Sequence, residues 1–145
     1  MAQDRSGTGL AFVRIFIGVF FLFQGLSKIR WFTDSGILFN QLNGWLVIAA
    51  PAARWFLQTV CIPGVPVFAR LVPLGELSAG VALVLGVRTR LAAALASVMV
   101  ISFLVASSSV FSYSFLTFGY GLPVLGSLLG LAIGGARLPW SLRRG

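Results

Sequence analysis

The apolar residues of this chain come in long blocks, not in alternation. Four blocks approach the length of about 20 helical residues that crosses a hydrocarbon core of about 30 Å. They cover residues 9–28, 71–87, 91–107 and 115–135. None shows the period-2 pattern of a strand, and in lipid only helices and closed barrels satisfy their own backbone. The blocks therefore predict four transmembrane helices. Between the first two lies an oily stretch broken by Asn40, Gln41, Asn43, Pro51, Arg54 and Gln58. Its clean apolar part, residues 44–53, is too short to span. Leu38, Leu42, Trp45, Leu46 and Ala49 share one helical face. An interfacial or re-entrant helix is expected over residues 37–50, with a second short helix after Pro51, inside a segment running from 37 to 68. "IPGVPVF" reads as a stiff connection back to the bilayer, and the short "RTR" loop makes the second and third helices a tight hairpin. The expected fold is all-α: a single membrane domain over residues 1–145, an integral membrane four-helix bundle with an interfacial helical loop between helices 1 and 2.

Composition supports a bilayer as the solvent. The chain is 58% hydrophobic and 10% charged, whereas soluble domains carry about a quarter charged residues. So few charges cannot cover a water-facing surface. The first block is longer than the apolar region of a signal peptide and no small-x-small site follows it, so it is expected to be retained. The net charge of +8 does not point to nucleic acid. The basic residues flank the apolar blocks instead of forming one stripe, as anchors that favour anionic lipid do. Arg5, Arg14, Arg88, Arg90, Arg137, Arg143 and Arg144 fall on the side of the termini, and Lys28, Arg30, Arg54 and Arg70 on the other. The larger group predicts that both termini face the cytoplasm.

The chain has no histidine and one cysteine, Cys61. That removes the usual ligand for haem, zinc and copper, the commonest general base, and any internal disulfide. No metal, no His-held cofactor and no catalytic group are expected. Ionisable residues inside lipid are costly and usually paired. Glu76 falls near the outer end of the second helix, and Lys28 ends the first helix at that same end. Gln24 lies one turn deeper on the face of Lys28. Gln24, Lys28 and Glu76 are thus expected to meet, with Ser78 extending the cluster. Two readings stand side by side. One is a structural ion pair that fixes helix register. The other is a site that handles protons or a polar head group near the membrane surface. Arg14, inside the first helix, reads as snorkelling to the head groups or as an anion or lipid contact shared with Arg88 and Arg90. Gly126, Gly130 and Gly134 form a small-xxx-small run for helix packing, within the bundle or against another membrane subunit. Cys61 is expected to be buried. Trp31, Phe32, Trp45, Trp55 and Phe56 suit an interfacial belt or a flat apolar pocket.

The stretch "VRIFIGVFFLFQGLSKIRWF" resembles the opening pattern of the DoxX family of small bacterial membrane proteins, through Arg14, Gly18, Gly25 and Lys28. "GELSAGVALVLGVRTRLAAAL" resembles the family's second signature, through Glu76, Gly80, Gly86, Arg88 and Arg90. The resemblance implies a four-helix bundle in the bacterial cytoplasmic membrane. It also implies kinship with small subunits associated with quinone-linked sulfur oxidation and oxidative-stress complexes. The expected function is that of a non-catalytic integral membrane subunit that docks on or stabilises a larger membrane redox or electron-transfer complex. The alternative is a quinone-interacting subunit of a membrane oxidoreductase. Expected partners are membrane lipid and other membrane subunits, with quinone or lipid as the bound small molecule.

Overall fold

The computed structural model describes residues 2–110, 112–117 and 121–142, with side chains from residue 5 onward except that of Ser114. Arg143 and Arg144, counted above toward topology, lie outside the described residues, as does the side chain of Asp4. The chain runs through α1 (Ala2–Ser27), a 3-10 turn (Ile29–Phe32), α2 (Gly36–Ile48) and α3 (Pro51–Phe56), which continues into a π-helical turn (Leu57–Cys61). Then follow α4 (Val65–Leu85), α5 (Thr89–Ala106), α6 (Tyr113–Thr117) and α7 (Leu122–Gly134). No strand occurs among the described residues.

Among the described residues three helices are long and apolar enough to cross a membrane: α1 over Arg5–Ser27, α4 and α5. The fourth predicted span is not one helix. The segment expected over 115–135 takes in the end of α6 and, as a separate element, α7, and α7 has 13 residues, short of the length a span needs. Pro123 lies in the first turn of α7, where its missing N–H leaves no intrahelical bond unmade. Proline sets the start of α4 too. The "IPGVPVF" connection is largely helical, because α4 begins at Val65 with Pro66 in its first turn. α7 still closes the packing: α1 lies along α4, α4 on α5, α5 on α7, and α7 returns to α1.

Glycine sets how closely α1 and α4 approach. A Cβ on Gly18 would stand 2.8 Å from Val84 N, and one on Gly80 would stand 2.7 Å from Leu22 N. A Cβ on Gly25 would stand 2.6 Å from the Leu77 side chain. At these three positions backbone meets backbone or the base of a side chain. The run singled out from sequence behaves otherwise. A Cβ on Gly126 or Gly130 would meet nothing within 4 Å, and one on Gly134 would make ordinary contact with Leu10 at 3.6 Å. Gly126 and Gly130 face outward, so the tight packing within the chain belongs to Gly18, Gly25 and Gly80.

The α4–α5 hairpin turns on Gly86 at φ 70°. Val87 N donates to Ala82 O at 2.9 Å and Gly86 N to Leu83 O at 3.3 Å, a Schellman ending that requires the left-handed conformation glycine adopts freely. The C-terminal segment returns to this turn, where Leu142 N donates to Leu85 O at 2.9 Å. The rings of Phe12 and Trp140 meet edge to face, their centres 5.5 Å apart. Both ends of the described chain therefore lie at the same end of the bundle as the α4–α5 turn. At the opposite end α2 and α3 cover a second core, with Leu38 and Leu42 buried together with Trp31, Leu57, Cys61 and Val65. Outward, Phe16, Phe23, Leu95, Val98 and Ile133 are all exposed, a surface suited to hydrocarbon and not to water.

Candidate functional site

Lys28 directly follows α1, at the start of the 3-10 turn, and α4 passes beside it because the glycines let the two helices close. Lys28 Nζ donates to both carboxylate oxygens of Glu76 at 2.9 Å. It also donates to Gln24 Oε1 at 3.2 Å and to the Gln24 carbonyl at 3.3 Å. Glu76 is fully buried, and the Lys28 side chain is 15% exposed. The rings of Trp31 and Phe103 flank the ammonium, with centres at 5.9 and 6.0 Å. The structure thus brings together Gln24, Lys28 and Glu76. Ser78 does not join them. Two residues beyond Glu76, it sits on the far side of α4 and donates to Leu74 O at 2.7 Å.

Beside this cluster opens a cavity of about 430 Å³. Its polar wall is Gln24, Lys28, Gln41, Ser107 and Ser109, and its apolar wall includes Trp45, Phe103 and Phe115. α2 positions Gln41 and Trp45 one turn apart. The end of α5 positions the serines: Ser109 N bonds back to Leu104 O at 2.9 Å, with Ser108 at φ 55°. Ser107 donates to Ser109 Oγ at 2.8 Å. Sequence reasoning missed Gln41, Ser107, Ser109 and Phe103 as site residues. Phe103, Ser107 and Ser109 are more than 70 residues from Lys28 in the chain, and only the fold of α2 over the end of α5 gathers them with Gln41.

Hydrogen-bond accounting assigns the roles. An ammonium has three protons and accepts nothing. Those of Lys28 are taken by the four acceptors named above, so Lys28 has none to spare for a ligand. Because Lys28 only donates, the oxygen of the Gln24 amide must face it, which leaves the amide NH2 as the donor. No described group accepts from that NH2 or bonds the Gln41 amide. Glu76 does not line the cavity. Its carboxylate balances the ammonium from behind, and the pair orients Gln24.

Arg14 is neither snorkelling nor part of an arginine cluster. It is fully buried. Its Nη2 donates to Trp140 O at 2.8 Å, and its Nη1 donates to the Ser141 hydroxyl. A side chain on Gly86 would collide with the guanidinium. The C-terminal segment has folded over Arg14 and supplied the acceptors that head groups were expected to supply. Arg90 is used elsewhere, its Nε donating to Ala132 O at 2.9 Å in the last turn of α7, where a cation suits the exposed carbonyls. Arg88 is exposed and stands apart.

Cys61 is buried, as expected, and lies outside the spans. Burial pushes its thiol pKa up, so at neutral pH the thiolate nucleophile is scarce. Maleimide added to either side of intact membranes should leave Cys61 unmodified, and denaturation in detergent should expose it. Rapid labelling of the folded protein would contradict this placement. Among the described residues no group of three or more His, Cys, Asp or Glu could hold a metal ion.

Compared with models of known families, the chain matches DoxX over residues 9–108. No curated protein and no solved structure matches it.

Proposed function

Taking as premise that the chain belongs to the DoxX family, we propose that it is a non-catalytic integral membrane subunit that holds the head of a quinone-class amphiphile for a larger membrane redox complex. One observation carries the reading. The cavity beside Lys28 joins aromatic walls to amide donors with no acceptor of their own. A flat head bearing carbonyl oxygens matches both: its face lies on Trp45, Phe103 or Phe115, and its oxygens accept from Gln24 and Gln41. The isoprenoid tail leaves into lipid. Glu76 sits behind Lys28, which favours positioning of the head over proton exchange with it.

The same reading places the protein in the bacterial cytoplasmic membrane with both termini in the cytoplasm. The distribution of basic residues along the sequence, seven against four, supports that orientation. A docking role is favoured by a second observation, the outward face of α7, where Gly126 and Gly130 leave open space and a partner helix could approach closely.

Trp45 reports on the cavity. A short-tailed quinone should quench its fluorescence in nanodisc-held protein. Gln24→Leu should weaken that binding about tenfold, the loss expected from one hydrogen bond and the stranded groups it leaves. Gln41→Leu should weaken it less, because Gln41 is more exposed. Equal affinity in wild type and both variants would sink the quinone reading.

A further inference from the structure

A second groove lies on the opposite side of α4, between α4 and α5. It has a volume of about 350 Å³ and is lined by Gly75, Ser78, Ala82, Ala92 and Met99, with Arg88 at one end. The groove exists because small residues face each other across the hairpin. Its wall is almost wholly apolar, yet it ends at a cation. Arg88 is exposed, and among the described residues no carboxylate pairs with it and no acceptor takes its protons. Asp34 accepts from Gly36 N at 2.9 Å at the other end of the bundle, and Glu76 is buried against Lys28.

The length of the groove selects its occupant. From Arg88 to Gly75 α4 and its turn advance by about 20 Å at about 1.5 Å per residue. One leaflet of hydrocarbon is about 15 Å deep, half of a core of about 30 Å. The groove therefore starts at the level of the turn and ends near or just past the bilayer centre. A partner helix would cross both leaflets and would have no use for a lone cation at one end. A phospholipid has the right shape: one acyl chain, one leaflet deep, with its phosphate at the surface. Guanidinium donates two parallel bonds to a phosphate, which an ammonium cannot do.

We propose that the α4–α5 groove is a binding site for an anionic phospholipid, with an acyl chain along Gly75, Ser78, Ala82, Ala92 and Met99 and the phosphate on Arg88. It is separate from the cavity beside Lys28, and does not depend on what that cavity holds. The lipid lies in the leaflet on the side of the termini.

The test uses the full chain reconstituted in equimolar phosphatidylglycerol and phosphatidylcholine, released into mild detergent, with retained lipids counted by native mass spectrometry. Wild type should retain phosphatidylglycerol in preference to phosphatidylcholine. Arg88→Gln should lower that preference about fivefold, the effect of one basic residue at an anionic surface. Ser78→Leu fills the groove at an exposed position and should lower retention of both lipids. Arg5→Gln, at the same end but off the groove, should change neither. The proposal is overturned by a wild type that shows no preference or retains no lipid. It is equally overturned by wild-type selectivity in Arg88→Gln, by wild-type retention in Ser78→Leu, or by an equal loss in Arg5→Gln, which would mean general surface attraction. A partner protein found in the lipid's place would overturn it too.

Discussion

Glu76→Leu should cost the protein most of its folded yield. The substitution removes the carboxylate that meets Lys28 Nζ through both oxygens at 2.9 Å. It leaves the ammonium held between rings with only the oxygens of Gln24 to accept its protons. Removing one partner of a buried pair costs about 3–5 kcal/mol. For a chain of this size that lowers the melting temperature on the order of 10 °C. Glu76→Gln keeps an oxygen acceptor and should be milder. The charge exchange, Lys28→Glu with Glu76→Lys, should recover much of what either single change loses, because the pair acts as a register pin between α1 and α4. Size-exclusion profiles after stepwise heating, arranged as a double-mutant cycle, measure the coupling. A Glu76→Leu protein that melts with wild type would show the pair to be dispensable. Normal stability in Glu76→Gln combined with sharply weaker quinone quenching at Trp45 would instead assign the carboxylate to the ligand.

That pair was legible from the sequence because two rules fix it. An acid inside lipid needs a partner, and Lys28 is the cation within reach, with Gln24 one helical turn away. The depth was misjudged, because α4 begins at Val65 and puts Glu76 at mid-helix, not near the outer end. Ser78 was misplaced because sequence proximity to Glu76 stood in for direction: two residues along a helix turn a side chain to the opposite side. The three long helices and the helix α2 were legible from block length and from the shared face of Leu38 and Leu42. The division between α6 and α7 was not, since hydropathy sees the continuous oil across the segment and not the helix start that Pro123 marks. Arg14 was misread for a related reason. Its depth was clear, but its acceptors, Trp140 O and the Ser141 hydroxyl, are more than a hundred residues away, and no local pattern announces them. The cavity suffered the same way, because half its wall comes from the fold of α2 over the end of α5.

The glycines give the sharpest contrast between what a pattern suggests and what packing requires. Gly80→Leu should be among the most damaging single substitutions in the chain. Its Cβ would already stand 2.7 Å from Leu22 N and 2.9 Å from Gly18 O. Those obstacles are backbone, so no rotamer change relieves them, and α1 must move away from α4. Overpacking costs about 1–3 kcal/mol where side chains can yield, and more where they cannot. The separation would also pull Lys28 from Glu76, adding the loss of the ion pair. Gly130→Leu should do none of this. Nothing stands within 4 Å of its Cβ, and leucine favours helix over glycine by under about 1 kcal/mol. The isolated chain should therefore fold as well as wild type or slightly better. Thermal melting of both variants in detergent decides the first point: a Gly80→Leu protein as stable as wild type would refute the close α1–α4 contact. Purification from native membranes decides the second. If α7 docks on another subunit through its open face, Gly130→Leu will yield a stable chain stripped of its partners. If that face meets only lipid, the same substitution will leave every association intact, and the docking part of the proposed function falls.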